Sequence, residues 1–379
     1  MEERAVHLVH GMGTALETPT WPAITEPEAA AILSQFPAAG RLAGVRWHSP
    51  RPFSAAAIVA TDNGEFLVKR HHRRLRTPSA LIEEHAFIAH LRAAGAPVPE
   101  VLTTHDGSGA VVLDDGTYEI HRRSPGADIY RDRQSWTPFL SMAHAHEAGA
   151  ALARLHHAAK GFAAPARGPH PLVSGFTIVP AHDPMAAVDA YVAARPALAR
   201  FLAGRRWRAE LGTLFTALGQ GLAERLAGEP PLWTHNDWHP SNLLWSANGG
   251  VSTVFDFGLA TQTCALHDLA IAIERSAIPW LDLLDGGDMH GDVAAALAIL
   301  GGYVSVAPLT AMQIDTVVRL LPLVHVEFAL SEVDYFAGVL EDDAQAMMAW
   351  RDYLVGHAEW FVSAPGRAFL KQVAKGAGL

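Results

Sequence analysis

The chain has 379 residues, half of them apolar and 18% charged, with a formal net charge of −10 and a single cysteine, Cys264. This composition supports a sizeable core in one large domain or two and excludes a disordered chain. It also excludes an internal disulfide and a cysteine-based zinc site, argues against a nucleic-acid partner, which needs a basic face, and is compatible with a cationic substrate.

Charges, His or Pro interrupt the apolar stretches before the roughly 18 residues that a membrane span needs. The start, MEERAVHLVHGMGT, lacks a positive segment followed by an apolar one, the pattern of a signal peptide. The expectation is a soluble cytoplasmic protein with no membrane or nucleic-acid partner. Residues 1 to about 40 read as an N-terminal extension with one helix. Thr25 and Glu28 have capping-box spacing ahead of AAAILSQF, and Pro27 sits in the first turn. Residues 41–122 read mainly as strands. SAAAIVAT and EFLVKR flank Asp62-Asn63-Gly64, a hairpin signal. LIEEHAFIAHLRAAG predicts a helix with Leu81, Phe87, Ile88 and Leu91 at helical spacing and Gly95 as its stop. VPEVLTT, GAVVL and TYEIHR predict further strands, with Asp115-Gly116 as a turn.

After Ser124-Pro125-Gly126 the pattern becomes helical, in HAHEAGAALARLHHAA and then in 184–203, 205–227, 266–278, 291–304, 309–336 and 341–362. The exception is 231–260, where LLW and STVFDF predict a hairpin around Asn248-Gly249-Gly250. The chain therefore divides into a small α+β unit, 1–122, and a larger helical unit, 123–379.

The strongest chemical signal lies in that exception: His235-Asn236-Asp237-Trp238-His239-Pro240-Ser241-Asn242, followed by Asp256-Phe257-Gly258. Phosphoryl transfer needs a carboxylate to orient the acceptor hydroxyl and take its proton, and oxygen ligands to hold Mg²⁺ on the nucleotide phosphates. An H-x-D-x-x-x-x-N loop followed by D-F-G supplies all three groups. Asp237 is the expected base, and Asn242 and Asp256 are the expected metal ligands. Upstream, Lys69 ends the run Glu65-Phe66-Leu67-Val68-Lys69, an analogue of the V-A-I-K strand whose lysine contacts phosphates.

These residues resemble the aminoglycoside phosphotransferase and choline kinase group of the protein-kinase-like superfamily, which shows H-x-D-x-H-P-x-N followed by D-x-G or D-F-G. Leu155-His156 matches the L-H that ends the first long helix of the group's C-terminal lobe. His267-Asp268-Leu269-Ala270 matches the D-L-A that opens the helix after the metal loop. The resemblance spans roughly residues 55–275. It implies a two-lobed α+β fold: a small N-terminal nucleotide-binding lobe with an antiparallel sheet and one main helix, and a large helical C-terminal lobe. It further implies Mg²⁺-dependent transfer of the γ-phosphate of ATP or GTP to a hydroxyl of a small-molecule acceptor. By the family pattern E-x-x-x-x-x-x-L, which ends here at Leu91, Glu84 would hold Lys69, with Glu83 as the alternative.

The chain also departs from kinase patterns. The turn Trp47–Ser54 has no glycine, so Ser49, Arg51 or Ser54 are the candidates for phosphate contact, against an ordinary surface turn. The choice between ATP and GTP stays open for that reason. The linker between lobes is expected near His121 to Ser124. Only nine residues separate Gly258 from Asp268, there is no A-P-E, and Asn236 stands where a protein kinase carries Arg. A phosphorylation-switched protein kinase is therefore not expected.

Competing readings attach to several residues. The alternation His235-Asp237-His239 would suit a metal hydrolase, but no further ligand has a helpful spacing, and His235 is expected beneath the loop. The run Lys69–Arg74 reads as a solvated loop rather than a nucleic-acid patch. Glu327, Glu332, Asp334, Tyr335, Trp350, Asp352 and Trp360 would suit an amine-bearing or ring-bearing acceptor, against ordinary core packing. A non-catalytic nucleotide-binding regulatory protein of the same fold is the alternative function.

Overall fold

Thr25 caps the first helix through the complete box with Glu28 that the sequence predicts, each side chain satisfying a backbone N–H of the first turn. The structure is a computed structural model and describes residues 7–13, 15–173, 175–284 and 289–379. Two short strands, β1 (Val9–His10) and β2 (Leu16–Glu17), pair ahead of that helix, α1 (Glu26–Leu33). Strands β3 (Leu42–His48), β4 (Ala55–Thr61) and β5 (Gly64–His72) follow, then α2 (Pro78–Ala93), β6 (Val111–Leu113) and β7 (Gly116–Arg122). Strands β3 to β7 form one antiparallel sheet in the order β3-β4-β5-β7-β6.

Alternation along β5 divides its side chains between two faces. Phe66 and Val68 are buried with Val59, Ile120 and the α1 residues Ile32 and Leu33. Lys69 and His71 occupy the other face, toward α2. The predicted strand VPEVLTT is reduced to one isolated bridge, Val101 with His121. Pro97 and Pro99 remove two ladder donors just before it.

The helical lobe opens with α3 (Met142–Ala159) and continues through α4 (Pro184–Ala193), α5 (Pro196–Leu202), α6 (Trp207–Leu218) and α7 (Leu222–Leu226). The runs 184–203 and 205–227 are thus each broken in two. Pro196 starts a new helix in the first, and Gly221, with φ 73°, turns the chain in the second. Next come β8 (Pro231–Thr234), β9 (Leu243–Trp245), β10 (Val251–Val254) and β11 (Thr261–Cys264). β9 and β10 are the predicted hairpin; β8 and β11 form a second antiparallel pair around it, which the sequence did not signal.

The remainder comprises α8 (Ala265–Ala277), α9 (Trp280–Leu284), α10 (Val293–Val306), α11 (Ala311–Leu320), α12 (Val326–Tyr335), α13 (Asp343–Met348), α14 (His357–Val362) and α15 (Ala364–Gly376). The predicted run 309–336 breaks where Pro322 follows α11. Among the described residues no helix is long and apolar enough to cross a membrane.

Two helix-interior glycines set the packing of this lobe. A Cβ on Gly302 of α10 would lie 1.8 Å from the carbonyl oxygen of His146, and one on Gly149 of α3 would lie 2.0 Å from that of Ile299. The helices therefore touch backbone to backbone, which offsets the intrinsic cost of glycine in a helix. Gly302→Ala should force α10 away from α3 and destabilise the protein by about 1–3 kcal/mol, the usual range for overpacking. Urea unfolding measures this, and an unchanged midpoint would contradict the close approach.

Candidate active site

The loop 235–242 starts where β8 ends and is fastened from below by α8. Asp268, in the first turn of that helix, accepts hydrogen bonds from the backbone N–H groups of His235 at 2.9 Å and Asn236 at 2.8 Å. His156, at the end of α3, pairs with the same carboxylate at 3.0 Å, and its other ring nitrogen meets the Tyr303 hydroxyl at 2.9 Å. All of these groups are buried. Burial opposes ionisation of Asp268, but the hydrogen bond from His156 and the neighbouring His235 hold its carboxyl below the usual range. Asn236 turns the chain with φ 59°, a conformation that asparagine tolerates better than most residues. His235 lies beneath the loop, donating through Nε2 to the Phe255 carbonyl at 3.0 Å while Nδ1 accepts from the Asp237 N–H at 3.2 Å. Both of its nitrogens are engaged, so His235-Asp237-His239 does not form a metal-ligand set.

Asp237 emerges from this support with both oxygens engaged. Its Oδ2 accepts from Asn242 Nδ2 at 3.0 Å, and its Oδ1 pairs with the Arg275 guanidinium. Arg275 is buried, with its guanidinium carbon 5.1 Å from the Trp136 ring centroid and 4.7 Å from that of Phe328. Burial pulls its pKa down to about 9, against the opposing charge of Glu332. Burial likewise drives the neighbouring His239 down to about 3, helped by the charge of Arg51.

Asp256 follows β10, also at a left-handed position, φ 61°. Its Oδ1 accepts from Lys69 Nζ at 2.8 Å, which ties the two lobes together. Burial works against both charges, yet their attraction prevails: Asp256 falls to about 2 and Lys69 is held above its ordinary range, with Glu119 and Glu84 contributing to the latter. The lysine therefore lies on Asp256 rather than on Glu84. Glu84 is buried on α2 with Oε2 unpartnered, while Glu83 is half-exposed and lies 3.5 Å from Arg167.

Two cavities meet at these residues. The larger, about 420 Å³, lies between the sheet and the β9–β10 hairpin, with Trp47, Glu84, His121 and Phe255 among its walls. The smaller, about 170 Å³, is lined by Asp237, Trp136, Phe328, Glu332 and Tyr353. Arg51, Ser54, Lys69, Asn242 and Asp256 line both. The structure thus brings every predicted site residue to one cleft: Glu84 on the side of the larger cavity, Asp237 on the side of the smaller, and the others between. Asn242 spends its amide NH₂ on Asp237 and His239, which leaves its carbonyl oxygen, and Asp256 gives only one oxygen to Lys69. Hard oxygens of this kind suit Mg²⁺.

Two features of the cleft have no motif in the sequence. Arg275 is one; its signal was a charged pair, Glu274-Arg275, directly after the apolar run Leu269–Ile273. Glu119 is the other. It stands directly opposite Lys69 in the β5–β7 register and takes hydrogen bonds from His71 at 2.9 Å, His85 at 2.7 Å and His121 at 3.0 Å. The alternations Lys69-x-His71 and Glu119-x-His121 on paired strands were the available signal.

The basic run 69–74 is not a free loop: Arg70 pairs with Glu28 at 2.6 Å and His71 is buried on Glu119. Most of the C-terminal candidates are structural. Glu327 accepts from the Ile178 N–H at 2.6 Å, Asp334 accepts from the Leu198 N–H at 3.1 Å, and Trp350 and Trp360 are buried in the core. Glu332 alone among those carboxylates lines the smaller cavity.

Residues 53–309 match the model of the phosphotransferase enzyme family. Homoserine kinase from Acidiphilium cryptum is 24% identical over 316 residues, 82% of this chain and 86% of that protein. Among solved structures, a microcompartment-associated aminopropanol kinase superposes with a TM-score of 0.60 at 18% identity, covering 89% of this chain and 98% of the other. An amicoumacin kinase in complex with AMP-PNP and Ca²⁺ gives 0.55 at 14% identity, covering 92% and 93%. The chain belongs to the phosphotransferase enzyme family, with the two-lobed protein-kinase-like fold, and is a small-molecule kinase with a hydroxyl acceptor.

Two outcomes follow from the buried carboxyls. Asp268→Asn puts an amide NH₂ against one of the two backbone N–H groups, so kcat should fall at least about tenfold and the melting temperature by several degrees. Steady-state kinetics and calorimetry check this, and wild-type values would remove Asp268 from its role. Glu274, buried in α8, is pushed up to about 8 by desolvation. A carboxyl raised in the folded state favours folding below its unfolded pKa of about 4.3, and that contribution is lost as pH rises toward 8. Glu274→Gln should therefore gain stability relative to wild type between pH 5 and about 8, by up to about 1.4 kcal/mol per pH unit. A difference in urea unfolding free energy that does not vary with pH would contradict this.

Proposed function

We propose that this kinase transfers the γ-phosphate of ATP to the hydroxyl of a short acceptor, with Asp237 orienting that hydroxyl and taking its proton. The observation that carries the reading is the meeting of the two cavities at Lys69, Asn242 and Asp256. The larger has the volume of a nucleotide site, within the usual range of about 300–1,000 Å³, and the smaller holds Asp237 beside the junction. The γ-phosphate then lies at the junction, in line between the nucleotide and the acceptor oxygen.

Each chain group has a part in this arrangement. Lys69 leaves Asp256 for the phosphates when nucleotide binds, and the unpartnered Glu84 takes the lysine's side. Ser54 and Arg51, which line both cavities, contribute donors in place of the missing glycines. Arg275 pairs with Asp237 and aims it, so that its carboxylate receives the proton as the acceptor oxygen attacks. Mg²⁺ on Asn242 and Asp256 would neutralise phosphate charge that these side chains leave unbalanced. The boundary between the lobes lies at residues 122 and 123, where β7 gives way to the linker, and the supply of ATP places the reaction in the cytoplasm. The relatives named homoserine kinase make homoserine the first acceptor to try, and AMP-PNP in a structural neighbour supports an adenine nucleotide.

The test is ADP release in the presence of Mg²⁺, ATP or GTP, and a panel of homoserine, amino alcohols and aminoglycosides. Asp237→Ala should lower kcat by at least about 10³-fold, within the range expected for a group acting in phosphoryl transfer, while ATP affinity changes little. Turnover by that variant at the wild-type rate would sink the assignment.

A further inference from the structure

Resting on that reading, which gives the smaller cavity to the acceptor, we propose that this cavity binds the ammonium group of a short hydroxylated amine, with Glu332 as counter-ion and residues 10–12 as the cap.

Glu332 is 1% exposed, lines the cavity and has no hydrogen-bond partner at Oε2. A buried carboxyl oxygen left without a donor is costly. The nearby cation, Arg275, is committed to Asp237 and sandwiched between Trp136 and Phe328. Desolvation pushes the Glu332 carboxyl up to about 8 in spite of Arg275, so it awaits a positive charge. An ammonium supplies both the charge and the N–H donors, and restores the ionised form. The walls suit it as well, because Trp136, Phe328 and Tyr353 line the cavity and aromatic side chains favour a cation beside them. Asp237 lines the same cavity, so amine and hydroxyl are recognised within one small space.

Size is the second constraint. At about 170 Å³ the cavity falls below the volumes that enclose drug-sized ligands, about 300–1,000 Å³. That suits an amino alcohol or hydroxyamino acid of a few carbons and excludes an aminoglycoside. The N-terminal segment enforces the limit. His10, Gly11 and Met12 line the cavity, and the segment is fastened on both sides of the cleft. The His10 N–H donates to the Pro50 carbonyl at 2.8 Å, the Tyr353 hydroxyl donates to the Met12 carbonyl, and Gln134 Nε2 donates to the Gly13 carbonyl at 2.8 Å. Further along, Trp21 Nε1 donates to the Tyr335 hydroxyl at 3.2 Å. The cap, Glu332 and Tyr353 all lie outside the 53–309 span of the family model, so this end of the pocket is built by the parts of the chain that the family does not prescribe.

The experiment uses the full chain with Mg·ATP and four acceptors: homoserine, 3-amino-1-propanol, the amine-free 4-hydroxybutyrate, and kanamycin. In wild type the two short amines should be turned over, 4-hydroxybutyrate poorly and kanamycin not at all. Glu332→Gln should raise KM for the short amines about tenfold or more, the loss of one charge-assisted contact, with kcat and the KM for ATP little changed. Glu332→Asp should fall between the two and guards against a folding defect in the first variant, which a melting curve detects. Tyr353→Phe, which frees the cap, should raise acceptor KM severalfold and leave the KM for ATP unchanged. Equal use of 4-hydroxybutyrate, efficient use of kanamycin, or an unchanged amine KM in Glu332→Gln overturns the proposal. So does a failure to use any of the four while Asp237-dependent ATP hydrolysis persists, and in that case the kinase reading stands. Loss of Asp237-dependent ATP consumption altogether is the separate failure of the kinase reading itself.

Discussion

A single buried carboxylate, Asp268, holds the loop that carries Asp237 into the cleft. It accepts the N–H groups of two successive residues, His235 and Asn236, and is itself steadied by His156. The backbone must turn through a left-handed residue at Asn236 to offer both N–H groups to one acceptor, and that turn delivers Asp237 into the cleft. The position of Asp268 depends in turn on how α8 sits against α3, and α3 is drawn onto α10 by Gly149 and Gly302. The same contact puts Tyr303 within hydrogen-bond reach of His156. A packing detail between two helices thus reaches the active-site loop through an unbroken series of contacts.

The cleft is organised as two buried charge groups in a low-dielectric setting. On the N-terminal side Lys69 lies among Asp256, Glu119 and Glu84, and Glu119 is in turn surrounded by three histidines. On the C-terminal side Arg275 pairs with Asp237 and feels the charge of Glu332. Buried pairs of this kind contribute little net stability, because desolvation offsets their attraction, but they fix the direction of each side chain. Each group leaves one carboxylate oxygen unpartnered: Oε2 of Glu84 beside the larger cavity and Oε2 of Glu332 beside the smaller. Where charge is left unbalanced, a ligand has the most to contribute.

The family span and the chain ends divide the work. Residues 53–309 carry the loop, the metal-type oxygens and the lysine. The first strands and the helices after 309 carry His10–Met12, Glu332 and Tyr353, which line the smaller cavity proposed for the acceptor. The N-terminal extension, whose purpose sequence patterns left blank beyond one capped helix, is tied to both lobes, by Met12 and Trp21 to the helices and by Glu28 to Arg70 of the sheet.

Local rules made much of the molecule legible. The capping box at Thr25, the Asn63-Gly64 and Asp115-Gly116 turns, and the motif His235–Asn242 followed by Asp256 depend on spacing within a few residues, and spacing survives in a bare sequence. They identified the lobes, the β9–β10 hairpin and the polar residues that line the cleft. The long helical runs were legible as helix but not in their breaks, because periodicity continues past Pro196 and Pro322 while the backbone cannot. Partner choice was not legible at all. Lys69 lies on Asp256 rather than Glu84, and Arg275 reaches Asp237 from 38 residues away. Which buried charge meets which is settled by the relative placement of elements distant in sequence. Coulomb attraction in a dry cleft acts across space, not along the chain, and only the tertiary structure sets those distances.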